Sequence, residues 1–200
     1  MIAVITGDIV NSRKVEPKEW MPLLKSTLAY YGQEPSDWEI YRGDSFQLIL
    51  APKEALKAAF HLKASIKQFK SLDLRLSIGI GQREYDAPKI TESNGEAFVN
   101  SGAGFENLTK RRTLIIHTPW PAFDQQMNLY IDLTLLTMNN WPASRAQIIK
   151  TALEHPDWKQ QEIADYLNKT QSTVSESLGK SGYEEILRLE KMYRELITQQ

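Results

Sequence analysis

The hydrophobic patterning changes character at Asn139-Asn-Trp-Pro-Ala-Ser144, and this change constrains the fold more than any other feature of the chain. Before it, short β-like runs alternate with helical stretches. After it, no strand pattern occurs. The break predicts two parts, 1–138 and 139–200. A chain of 200 residues is long enough for one or two units with a buried core. No repeat and no low-complexity segment interrupts either part.

The first part predicts the order β-α-β-β-α-β, followed by further elements. Ile2-Ala-Val-Ile-Thr6 is a continuous apolar run of the kind found in a covered central strand. Pro17 suits the first turn of a helix reaching about Tyr31, where Gly32 stops it. Trp38–Arg42 and Phe46–Ala51 read as two strands around Gly43-Asp44, a tight-turn dipeptide. Pro52 opens a helix with Leu56, Ala59, Phe60, Leu62, Ile66 and Phe69 on its inner face. Leu74–Ile80 alternates as a strand does. A helix near 95–108, a strand at 113–117 and a helix at 123–138 complete the part. The order suggests an α+β unit of ferredoxin-like plan, an antiparallel sheet with helices on one face.

Composition narrows the function classes. Lys and Arg total 24 against 25 Asp and Glu, so the chain as a whole offers no attraction to nucleic acid or anionic membrane. Residues 141–200 hold 8 basic and 9 acidic residues, so neither part is strongly polarised. There is no cysteine, which removes disulfides, zinc–thiolate sites and thiol nucleophiles. His61, His117 and His155 lie apart with no ligand pattern around them. No apolar run has membrane-spanning length and no signal peptide is evident, so a cytoplasmic location with no membrane partner is expected.

Two carboxylates carry the chemistry of the first part. Asp8 follows the first strand and Asp44 sits in the hairpin between the second and third. In a βαββαβ sheet these positions share one end. Two carboxylates in one space repel unless a cation lies between them. Mg²⁺ or Mn²⁺ would suit such oxygen ligands, with the Ile9 carbonyl as a third. The plainer alternative has Asp8 capping a turn with Asn11 and Ser12, and Asp44 serving only the hairpin.

In the second part, Lys159-Gln-Gln-Glu-Ile-Ala-Asp-Tyr-Leu167 and Gln171-Ser-Thr-Val-Ser-Glu-Ser-Leu178 are short helical segments separated by Asn168-Lys-Thr170. The pattern predicts a helix-turn-helix whose second helix would enter the major groove of DNA. Gln171, Ser172, Thr173 and Ser175 are the expected reading positions. Lys169 and Lys180 are the expected phosphate contacts. Glu176 on the same surface opposes phosphate, and the alternative is a helix-turn-helix that contacts only protein. The final helix, 183–197, carries Ile186, Leu189, Tyr193, Leu196 and Ile197 as a stripe. It either packs on its own domain or forms a homodimer.

Thr6-Gly-Asp-Ile-Val-Asn-Ser12, Arg42-Gly-Asp-Ser-Phe46 and Leu76-Ser-Ile-Gly-Ile-Gly81 resemble the palm domain of class III nucleotide cyclases, and the hairpin also resembles that of diguanylate cyclases. Residues 159–180 resemble bacterial DNA-binding units. Over nearly its whole length the chain resembles the SatD family. The cyclase resemblance implies metal ligation by Asp8, Ile9 and Asp44. It aligns Asn100 of Val99-Asn100-Ser-Gly-Ala-Gly104 with a nucleotide-binding position, beside Gly43 and a phosphate partner such as Arg13. The position of the transition-state arginine falls at Gly104, so cyclase activity is in doubt while purine-nucleotide binding remains expected. The resulting expectation is a DNA-binding transcriptional regulator with a degenerate, nucleotide- and metal-binding palm. The alternatives are a nucleoside-triphosphate phosphoryl-transfer enzyme and a protein-binding adaptor.

Overall fold

The computed structural model describes residues 1–200 as a mixed α+β protein with one five-stranded sheet and eight α-helices. The strands are β1 (Ile2–Val10), β2 (Trp38–Tyr41), β3 (Ser45–Leu50), β4 (Asp73–Gly81) and β5 (Leu114–His117). Their order across the sheet is β2-β3-β1-β4-β5. β1 runs to Val10 rather than stopping at Thr6, because β4 pairs with it along its full length, from Ile2↔Gly81 to Val10↔Asp73.

The helices between the strands are α1 (Pro17–Ala29), α2 (Ala55–Ile66), α3 (Glu96–Glu106) and α4 (Pro121–Met138). After them come α5 (Ala143–Glu154), α6 (Gln160–Tyr166), α7 (Gln171–Ser181) and α8 (Tyr183–Ile197). Leu74, Leu76, Ile78 and Ile80 recur at every second position of β4 and so share one face. With Ile5, Phe46, Leu48 and Ile116 they form the main core.

Three expectations need correction. Helices do not lie on one face only. α3 packs on the face opposite α1 and α2, over Val4 and Ile49, with Ala97 buried between. The helix comes so near that a Cβ at Gly79 would stand 2.1 Å from the Ser101 main-chain nitrogen. The sheet is not wholly antiparallel, because β5 joins β4 in parallel. In the β2–β3 hairpin the left-handed residues are Arg42 (φ 54°) and Gly43 (φ 87°), not Gly43 and Asp44. The loop closes between Tyr41 and Ser45.

The free edge of β5 is capped by a side chain. The Asn128 amide on α4 accepts from the Ile116 N–H (2.9 Å) and donates to the Ile116 carbonyl (2.8 Å). It thus takes the place a further strand would have and blunts an edge open to aggregation.

The C-terminal helices join the first part through α2. Eleven of the twelve residues of α2 are buried, because the sheet covers one side and α5 and α8 cover others. Ile149, Leu153, Ile186, Leu189, Tyr193 and Ile197 belong to the same 37-residue core as the sheet. The α8 stripe is thus spent inside the chain, against α2, α4 and the turn at Pro52, whose carbonyl accepts from the Tyr193 hydroxyl at 2.6 Å. It packs on the first part as well as on its own helices. A separate small core of Ile148, Ala152, Ile163, Ala164, Val174 and Leu178 holds α5, α6 and α7 together.

Candidate functional site

The sheet brings Asp8, Ser45 and Arg75 together. Asp8 lies directly opposite Ser45 on β3 and opposite Arg75 on β4. Residues facing each other across antiparallel strands have Cβ atoms about 5 Å apart, so their side chains meet. The Ser45 hydroxyl donates to Asp8 Oδ1 at 3.2 Å, and Arg75 Nη2 donates to Oδ2 at 2.6 Å. The Arg75 guanidinium lies 5.4 Å from the centre of the Phe105 ring on α3, within the range of a cation–π contact.

Asp44 joins the same end of the sheet by another route. Its carbonyl accepts from the Ile9 N–H at 3.1 Å, and its carboxylate accepts from the Ser12 hydroxyl at 2.5 Å. The two carboxylates expected to converge therefore sit on one edge, joined through Ile9, Ser12 and Ser45. Their immediate partners are hydroxyls and a guanidinium. Nowhere in the chain do three or more His, Asp or Glu side chains converge as a metal-binding group. A divalent cation on Asp8 would share its carboxylate with Arg75 and Ser45.

The residues aligned with nucleotide contacts are dispersed. Gly43 is exposed at the hairpin tip near Asp44. Arg13 is exposed in the turn after β1 with no carboxylate partner. Asn100 donates from Nδ2 to the Ile80 carbonyl at 2.7 Å. Ile80 faces Ala3 on β1, so Asn100 lies about 17 Å along the strand from Asp8 at roughly 3.4 Å per residue. Gly104 faces into the sheet, where a Cβ would lie 2.3 Å from Ser77 Oγ. A side chain at that position would have to displace the Ser77 hydroxyl. The cation near Asp8 comes from β4 instead.

Below this edge lies a buried polar network with no counterpart in the sequence reading. Lys63 on α2 is fully buried. Its ammonium donates to Asp73 Oδ1 and to the Thr113 hydroxyl, each at 2.8 Å. Burial pushes the Lys63 pKa down, and the Asp73 carboxylate opposes that shift. Thr113 in turn donates to Asn139 Oδ1 at 2.8 Å, and Lys67 donates to the Asn139 carbonyl at 2.7 Å. The start of β4, the start of β5 and the α4–α5 junction are thereby tied to one ammonium. Asp8, Asp73, Arg75, Lys110 and Thr113 line a cleft of about 720 Å³ on this edge.

The second candidate site is the exposed face of α6 and α7. Asn168 takes the left-handed conformation in the turn between them (φ 52°), which asparagine tolerates well. Thr170 caps α7 by accepting from the Thr173 N–H at 3.2 Å. Gln171, Ser172, Thr173 and Ser175 are all exposed. The Gln171 amide donates to Gln160 Oε1 at 2.8 Å, and the Ser172 and Thr173 hydroxyls share Thr170 Oγ1. Lys169 is half-buried. Lys180 is paired with Glu176 on the exposed surface of α7. Ser175 also lines a cavity of about 650 Å³ between α7, α8 and α2.

A family model described as the SatD family matches residues 1–197. The chain belongs to the SatD family. Comparison of this SatD-family protein with curated proteins and with solved structures finds no significant match. No helix is long and apolar enough to cross a membrane. Sequence reasoning found Asp8 and Asp44 through their motifs and missed Arg75, Ser45 and Lys63. The signal for Arg75 was its place on the outward side of an alternating strand. Its pairing with Asp8 follows only from the β1–β4 register.

Proposed function

We propose that this SatD-family protein is a DNA-binding regulator in which α6 and α7 act as a helix-turn-helix. The observation that carries the reading is the polar N-terminal face of α7. Gln171, Ser172 and Thr173 are exposed, and α7 has no acidic residue in its first turn. Ile163 and Ala164 of α6 pack against Val174 and Leu178 behind that face. A helix presented this way meets the major groove with its N-terminal side chains. The ion pair of Glu176 with Lys180 lowers the repulsion that a bare carboxylate would exert on phosphate.

The first part is read as a ferredoxin-like, cyclase-type palm that binds a purine nucleotide. The strand order β2-β3-β1-β4 supports the plan, and the placing of Asp8 and Asp44 at one end of the sheet supports a ligand there. Mg²⁺ or Mn²⁺ held by Asp8, Asp44 and the Ile9 carbonyl would supply charge neutralisation for phosphate. The glycine at 104, where the cyclase pattern has its arginine, favours binding over phosphoryl transfer.

Fluorescence anisotropy against a pool of random duplexes, selected over successive rounds, tests the DNA reading. Binding should weaken steeply between 50 and 200 mM salt, values on the order of those used to reveal counterion release. Gln171→Ala should cost about 1–3 kcal/mol on the selected site. Lys169→Ala should weaken selected and random duplexes alike. Absence of any enriched site, with no salt-sensitive binding, would refute the DNA reading.

A further inference from the structure

We propose that the cleft beside β1 and β4 is a phosphate site built from Arg75 and Lys110, and that it needs no metal ion. This deepens the nucleotide-binding reading of the palm and rests on it for the ligand's class. Asp8 engages Arg75 through Nη2 alone. A guanidinium carries five N–H donors in a planar fork. Here Nη1 has no hydrogen-bond partner and the side chain is 40% exposed, while Nε is buried without a partner. Asp8 and Phe105 thus hold the guanidinium in place and leave donors unspent. Lys110 is exposed, lines the same cleft and has no carboxylate within ion-pair distance.

The ion pairing around the cleft points to an anionic ligand. Its two lining carboxylates are Asp8 and Asp73. Asp8 is met by Arg75, while Asp73 is met by both Lys63 and Lys67, at 2.8 and 3.6 Å. Lys63 and Lys67 reach Asp73 from outside the lining, so Lys110 is the lining cation that no carboxylate answers. A phosphomonoester carries about −1.5 to −2 at neutral pH. A cleft of about 720 Å³ also has room for the nucleoside that would carry the phosphate. Thr109 and Asn11 at the rim offer neutral polar groups to it. The cation missing at Gly104 is therefore supplied from a strand rather than from a helix.

Calorimetric titration with inorganic phosphate and with GMP and AMP, each in EDTA and again in Mg²⁺, tests the site on the full chain. Saturable binding in EDTA is expected, with Kd raised about tenfold by Lys110→Ala. Lys110 is exposed, so this variant keeps the fold. Arg75→Lys retains the charge but loses the fork, and should weaken binding as well. Tighter binding of a nucleotide than of inorganic phosphate identifies the source as a nucleotide, while equal affinity identifies the phosphate group alone. Binding that appears only with Mg²⁺ would overturn the proposal and leave the metal-dependent reading of the palm standing. No binding in either buffer would overturn both, and an affinity unchanged by Lys110→Ala would overturn the residue assignment.

Discussion

Lys63 shows how much one side chain can hold. It is a basic residue with no exposed surface, on a helix that is buried on nearly every side. A buried ammonium is tolerated only when its donors are met. Asp73 and Thr113 meet two of them, at the points where β4 and β5 begin. Replacing it by Met would leave Asp73 with Lys67 alone and Thr113 without its buried donor. Lys63→Met should therefore destabilise the fold by about 3 kcal/mol, the low end for breaking a buried pair because Asp73 keeps one cation. Urea unfolding of the purified variant measures it, and a loss below about 0.5 kcal/mol would show the network contributes little. The same residue was invisible to periodicity, which marks Lys63 as one polar break in an amphipathic helix.

At the scale of elements, α2 and α5 are held together by a side-chain hydrogen bond as well as by packing. Buried His61 on α2 is hydrogen-bonded to Glu154 on α5 at 3.1 Å, and Lys150 donates to the same carboxylate at 2.6 Å. Burial opposes ionisation of Glu154, but the bonds from His61 and Lys150 prevail and hold its pKa at about 2, below the ordinary 4.5. A carboxylate depressed in the folded state stabilises above its unfolded pKa, and that contribution is lost as pH falls. The window runs from about 4.5 down to about 2. Glu154→Gln should lower stability at pH 7 and flatten the fall in melting temperature across that window. An unchanged acid profile in the variant would remove Glu154 as its source. Neither His61 nor Glu154 carries a motif, because the pair is 93 residues apart and is made only by packing.

At the scale of the molecule, the break at residue 139 separates two patterns, but the main core runs across it. Tyr193 in α8 is fully buried, packs near Phe123 of α4 and donates to Pro52. Trp141, at the break itself, donates to the Ser181 carbonyl at the end of α7. Heating should give one cooperative transition rather than two, since the sheet and α8 share buried surface. Tyr193→Ala should cost about 4 kcal/mol. It should lower protection of β1 and α5 amides together in hydrogen exchange. Protection lost in α5 alone, with β1 unchanged, would mean the parts unfold independently.

The sequence by itself determined what depends on near neighbours. The strand and helix order up to residue 138 follows from apolar periods of two and of 3.6. The two C-terminal helices around Asn168 follow from the same short-range pattern and from turn chemistry. The carboxylates at Asp8 and Asp44 stood out because each sits at a strand end or in a turn. Register and layer order belonged to the tertiary structure alone. The β1–β4 register sets Arg75 against Asp8, the close approach of α3 sets Gly104 against the Ser77 hydroxyl, and the return of α8 buries its stripe on the first part. Such contacts join residues tens to more than a hundred positions apart, and their free energy comes from surfaces that exist only once both elements have formed.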